Sequence, residues 1–152
     1  REGVTFVATA QALDDDMATR IARHRHERPG WATVEEPIEL VAALDTVPPD
    51  HLVIIDCLTL WLANLLLAGL TDVQIEARVE QLVAALGALP CEVLIVTNEV
   101  GMGIVPEHAL ARRFRDIAGR AHQRLGREAD ELIFAQLGVL LRLRPAPIAL
   151  VT

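Results

Sequence analysis

The chain has 152 residues, 52% of them hydrophobic and 23% charged, with a formal net charge of -7. That length serves one domain with a real core, 1–152, and that composition belongs to a folded protein rather than a disordered one. The acidic balance excludes a general nucleic-acid binder, and two cysteines, Cys57 and Cys91, are too few for a disulfide framework, so a reducing cytoplasm is the expected setting.

The first ten residues lack a basic segment followed by an apolar run and a cleavage site, so no secretory signal is expected. In chain order, VTFVATA (4–10) predicts a strand, and helices follow near 14–28 and 38–45. LVIID (52–56) predicts a second strand, helices follow near 58–69 and 72–86, and EVLIVTN (92–98) predicts a third strand. A long helix is expected over 107–127, because proline at its entry (Pro106) loses no hydrogen bond and Glu107 suits the positive helix end. ELIFAQL (131–137) is a fourth strand, and after VLLRLR the Pro145-Ala146-Pro147 break leads into a strand-like IALVT at 148–152. The apolar runs are continuous rather than alternating, as in strands covered on both sides, so the fold class is α/β: a mostly parallel sheet with helices on both faces. Residues 52–70 are nearly long and apolar enough to cross a membrane, but Asp56 and Asn64 inside that stretch make insertion costly, and a buried strand turning into a buried helix is expected instead. Trp31 and Trp61 are expected in packing rather than as stacking platforms.

RIARHRHERP (20–29) places four of the chain's 14 basic residues, with His24 and His26, in ten positions. On a helix opened by Asp14, Asp15 and Asp16 and closed by Pro29, the spacing of four lines up Arg20, His24 and Arg28 along one side, beside Met17 and Ile21. His26 lies about 200° round from His24, so the pair does not share a metal on a helix. Two readings stay open: a solvated basic face, or an imidazole nucleophile with guanidiniums one turn to either side holding phosphate oxygens.

Ligands of open α/β sheets gather at the carboxyl ends of strands, where this chain offers Thr9, Asp56 and TNEVGMGIVP (97–106). An aspartate ending an apolar strand either holds Mg²⁺, directly or through water, or caps the next helix. Gly101 and Gly103 permit a tight loop near a ligand. No lysine and no serine occur anywhere, so the chain carries no complete G-x-x-x-x-G-K-[ST] phosphate loop.

Taken together, VATAQALDDDMATRIARHR with the following Arg-Pro and Trp, DCLTLWLANLL, and VTNEVGMGIVPEHALARRFRDIAGRAHQRL resemble the bifunctional adenosylcobinamide kinase/adenosylcobinamide-phosphate guanylyltransferases of cobalamin biosynthesis, over about residues 4–144. The resemblance implies a P-loop NTPase fold of the RecA-like type and a homotrimer, with no nucleic-acid partner and no membrane insertion. It implies two reactions. A nucleoside triphosphate, ATP or GTP, phosphorylates adenosylcobinamide, and GMP then passes from GTP through a histidine to the corrinoid phosphate, giving adenosylcobinamide-GDP. By position in the motif the guanylylated histidine falls on His24. Nucleotide contacts fall on Ala8, Thr9 and Ala10, on Arg25, His26, Glu27 and Arg28, on Glu35, and on Asp56, which is also the possible Mg²⁺ ligand; from His26 and Glu27 they are expected through the backbone. The family's opening strand and phosphate loop have no counterpart in these residues, and IALVT resembles the run that precedes that loop. Residues 148–152 are therefore expected to take the place of that strand. A second reading is a nucleotide-binding domain that lacks the loop and is inactive or weakly active.

Overall fold

In the computed structural model, which describes residues 3–11, 19, 23, 26 and 28–151, two six-residue strands with β-branched interiors pair at the centre of a parallel sheet. These are β1 (Gly3–Ala8) and β3 (His51–Asp56), flanked by β2 (Ala32–Glu35) and β4 (Val93–Val96) in the order β2-β1-β3-β4. In β1, Thr5, Phe6 and Val7 are buried in succession, so both faces of that strand are covered; in β3, Val53 and Ile55 are wholly buried on one face and Ile54 between them is half-buried. The expected helix over 14–28 lies largely outside the described residues; Thr19, Arg23 and His26 are helical and exposed.

Between the strands run α1 (Leu40–Leu44), α2 (Leu58–Leu67), α3 (Asp72–Ala88) and α4 (Ala109–Glu128). Helix α2 is apolar nearly all round and buries Leu58, Trp61, Leu62, Leu65 and Leu66, as a helix enclosed by its neighbours must. It stops after ten residues because Gly69, at φ +88, allows the chain to turn: Gly69 N–H donates to Leu66 O and Leu70 N–H to Leu65 O, a Schellman closure. No helix among the described residues is long and apolar enough to cross a membrane. Helix α3 begins in a capping box in which the Thr71 hydroxyl accepts from Gln74 N–H and the Gln74 side chain accepts from Thr71 N–H. Its buried face is Ile75, Val79 and Leu82, at spacings of four and three. A two-pronged Arg78–Glu39 pair, at 2.8 and 2.9 Å, ties α3 to the residue before α1.

Where one domain is expected from length, the chain clusters into two compact units, Arg1–Gly119 and Arg120–Thr152, with the boundary inside the continuous helix α4. The second unit holds an antiparallel sheet of β5 (Leu132–Gln136), β6 (Val139–Arg144) and β7 (Ala149–Val151), in that order. Two sequence expectations differ from this arrangement. The run at 131–137 does not join the parallel sheet, because Leu137 and Gly138 both take positive φ (54° and 76°) and fold the chain into a two-residue hairpin onto β6. Residues 148–152 do not stand in for a central strand: Ala149–Val151 is an outer strand paired with β6, a few residues back across the proline break, where closing the loop costs little entropy.

Candidate functional site

Strand register brings three of the sequence-predicted residues into one row across the carboxyl end of the parallel sheet. Ala8 lies opposite Glu35 on one side and Asp56 on the other, and Asp56 lies opposite Val96. Glu35 and Asp56 are thus separated by two strand spacings, about 10 Å between their backbones. The Asp56 carboxylate is half-buried and takes part in none of the hydrogen bonds or ion pairs found among the described residues.

The turn after β1 is bound tightly to the end of β3. Thr9 is fully buried (0% exposed), its N–H donates to Asp56 O at 3.0 Å, and its hydroxyl both accepts from Cys57 N–H (2.7 Å) and donates to Cys57 O (2.8 Å). Ala10, next along the chain, is half-buried. Asn64, a lone amide on the apolar helix α2, donates through Nδ2 to Thr9 O (2.8 Å) and Pro37 O (3.1 Å). Trp61, one turn earlier, donates from Nε1 to Ile38 O at 2.9 Å. Glu36 N–H closes the row by donating to Ala8 O, and the Glu36 carboxylate accepts from Ile38 and Glu39 N–H at the entry to α1. On the β4 side, Asn98 Nδ2 donates to Thr59 Oγ1 (2.9 Å), and Thr59 lies 3.2 Å from the buried Cys57 thiol.

Of the basic run, His24, Arg25 and Glu27 lie outside the described residues, and His26 is exposed on its helix. Arg28 is placed: its guanidinium carbon lies 3.3 Å from the centroid of Phe6, on β1 two residues short of the row, with Trp31 beside that ring at 6.5 Å. The loop 97–106 is braced by α4: Arg115 donates to Gly101 O at 2.5 Å, Arg112 to Pro106 O at 3.0 Å and also to Glu107 O, and Gly101 N–H donates to the Glu99 carboxylate at 2.6 Å.

Sequence reading missed Asn64 as part of this site, while Asn98 falls within the 97–106 run expected there. The available signal was the amide inside an apolar helix, since a buried polar side chain must find partners. Among the described residues no group of three His, Cys, Asp or Glu side chains gathers to hold a metal. One half-buried carboxylate at the mouth suits instead a hard cation that keeps most of its waters and is shared with substrate phosphates.

Residues 1–143 match the model of the family described as cobinamide kinase / cobinamide phosphate guanyltransferase. The chain belongs to that family. It is 40% identical over 147 residues, 95% of this chain and 84% of the relative, to the bifunctional adenosylcobalamin biosynthesis protein CobP of Pseudomonas aeruginosa. It is 42% identical to the bifunctional adenosylcobalamin biosynthesis proteins CobU of Salmonella typhimurium and Escherichia coli, in each case over 91% of this chain and 86% of the relative. The resemblance read from TNEVGMGIVP and its companions is therefore borne out. For a cobinamide kinase/guanyltransferase family member, a polar row at the carboxyl ends of parallel strands is where nucleotide chemistry is expected.

Proposed function

We propose that the chain phosphorylates adenosylcobinamide and then transfers GMP from GTP, through His24, to adenosylcobinamide phosphate, giving adenosylcobinamide-GDP. Membership of the kinase/guanyltransferase family over residues 1–143 carries this reading, and the register row of Ala8, Glu35 and Asp56 supports it. In the guanylyl step a neutral imidazole nitrogen of His24 attacks the α-phosphorus of GTP. A P–N bond forms, the bond from that phosphorus to the bridging oxygen breaks, pyrophosphate leaves, and the other ring nitrogen gives up its proton. A phosphate oxygen of the corrinoid then displaces the histidine: the ring takes back a proton, the P–N bond breaks with its electron pair returning to the imidazole nitrogen, and the pyrophosphate linkage of the product forms. Arg25 and Arg28 hold phosphate oxygens as charge develops, and Ala8, Ala10, His26 and Glu27 lie along the nucleotide. Asp56 holds Mg²⁺, which when bound offsets phosphate charge. Kinase and guanylyl steps run in the cytoplasm on a homotrimer, a setting in keeping with Cys57 and Cys91 both being free thiols.

The test is to incubate the protein with GTP labelled at the α-phosphate. An acid-labile, alkali-stable adduct is expected in the wild type and absent in His24→Ala. A folded wild type that forms no adduct, or an adduct that survives in His24→Ala, overturns the proposal.

A further inference from the structure

We infer that Thr9 and Asn64 are positioning residues for the Asp56 carboxylate and not contacts to nucleotide, an inference that rests on the proposed role of Asp56. A phosphate oxygen of a bound nucleotide needs a donor from the protein, and threonine has two, its N–H and its O–H. Both are committed inside the protein: the N–H to Asp56 O and the O–H to Cys57 O. The side chain is fully buried besides.

What these bonds hold is one particular peptide. The carbonyl of Asp56 and the N–H of Cys57 are the two polar groups of the peptide that follows Asp56, and both end on Thr9. Pinning that plane pins the α-carbon frame from which the Asp56 side chain projects, and the Asp56 carboxylate has no bond of its own among the described residues to do so. Asn64 completes the clasp. Its amide reaches Thr9 O and Pro37 O together, so the turn after β1 and the segment after β2 are both tied to α2, the helix that starts two residues after Asp56. The geometry parallels an outer-shell partner orienting a ligand carboxylate, where loss of the partner costs about 10–100-fold in metal affinity or activity.

Three variants test this with two readouts: Mn²⁺ binding followed by electron paramagnetic resonance in the presence of GTP, and kcat and KM for guanylylation. Thr9→Val keeps the shape and removes the hydroxyl, Thr9→Ser keeps the hydroxyl, and Asn64→Ala opens the second arm should Thr9→Val not fold. Thr9→Val and Asn64→Ala are expected to weaken Mn²⁺ binding and lower kcat by about tenfold or more, with the KM for GTP within about threefold and Thr9→Ser close to wild type. Asp56→Asn run alongside separates the two layers of argument. If Asp56→Asn leaves Mn²⁺ binding and kcat unchanged, the role of Asp56 falls and the clasp with it. If Asp56→Asn is impaired while folded Thr9→Val or Asn64→Ala matches wild type, or raises only the KM for GTP, the positioning role is overturned and that of Asp56 stands.

Discussion

Phe6→Leu tests how Arg28 is held. The Arg28 guanidinium lies 3.3 Å above the ring of Phe6, itself 7% exposed, so the cation faces an aromatic surface with little water around the ring. Such a contact is worth about 1–2 kcal/mol when partly desolvated. Leucine keeps an apolar side chain of similar bulk in β1, at a cost of under about 1.5 kcal/mol to the fold, but presents no π face. If the stack fixes the orientation from which Arg28 meets phosphate, its loss raises the KM for GTP in guanylylation about 5–30-fold, the same free energy expressed as a binding ratio. Arg28→Lys should act in the same direction, because an ammonium offers neither the planar stack nor the two-pronged donor geometry. The assay is the rate of protein labelling as a function of GTP concentration, with thermal unfolding as the control for folding. A Phe6→Leu protein whose KM stays within about twofold of wild type while Arg28→Lys raises it tenfold refutes the role of the stack; both staying within that range refutes Arg28 as a nucleotide contact.

Trp61→Phe should cost about 2 kcal/mol, roughly half from the Nε1 bond to Ile38 O and half from a cavity of about 40 Å³, and lower Tm by about 4–8 °C; a shift below about 1 °C contradicts its burial. Thr71→Ala removes the capping box of α3 and should lower stability by about 1 kcal/mol, read as a lower urea midpoint at unchanged m, and an unmoved midpoint counts against it. Because an imidazole attacks only when neutral, the guanylylation rate should fall about tenfold per pH unit well below histidine's ordinary value of about 6.5, and a rate flat into acid contradicts a histidine nucleophile.

The parts of this fold that can be read from sequence are those whose signal is local. The runs at 4–10, 52–56 and 92–98 are apolar and become β1, β3 and β4; burial on both faces accounts for the run in β1, whereas in β4 Leu94 and Val96 stay exposed. Ala32–Glu35 has no such run; its inner residues Thr33 and Val34 are only half-buried, and pairing with β1 rather than any pattern of its own makes it β2. Strand β5 looks alike whether its partner is parallel or antiparallel, and the decision rests on a leucine accepting positive φ at 137, which propensity disfavours. At the site, Asp56 is visible as a carboxylate ending a strand and Glu35 only through the resemblance, and their alignment through Ala8 is a matter of register, which depends on the whole sheet. Thr9 shows how a resemblance and a structure answer different questions: the resemblance marks the position as near nucleotide, and the hydrogen bonds show which of its atoms are already engaged.

The electrostatics of the row bear on why the basic run sits where it does. A chain of net charge -7 that places Glu35 and Asp56 at the mouth of its sheet presents a negative edge to a triphosphate. Even across 10 Å in water, each pair of unit charges repels by about 0.4 kcal/mol, and more where the walls exclude solvent. That field must be offset locally for a nucleotide to bind, because the chain as a whole pushes it away and no lysine is present to help. Arg28, stacked on Phe6 within two residues of the row, is a cation already in place before any ligand arrives, and the rest of the run at 20–25 leads directly to it in sequence. Concentrating four arginines in ten residues is thus a condition for using carboxylates at the same mouth: each side of the charge arrangement makes the other tolerable, and a variant that neutralises Arg28 alone should bind GTP worse than one that neutralises Arg28 and Glu35 together.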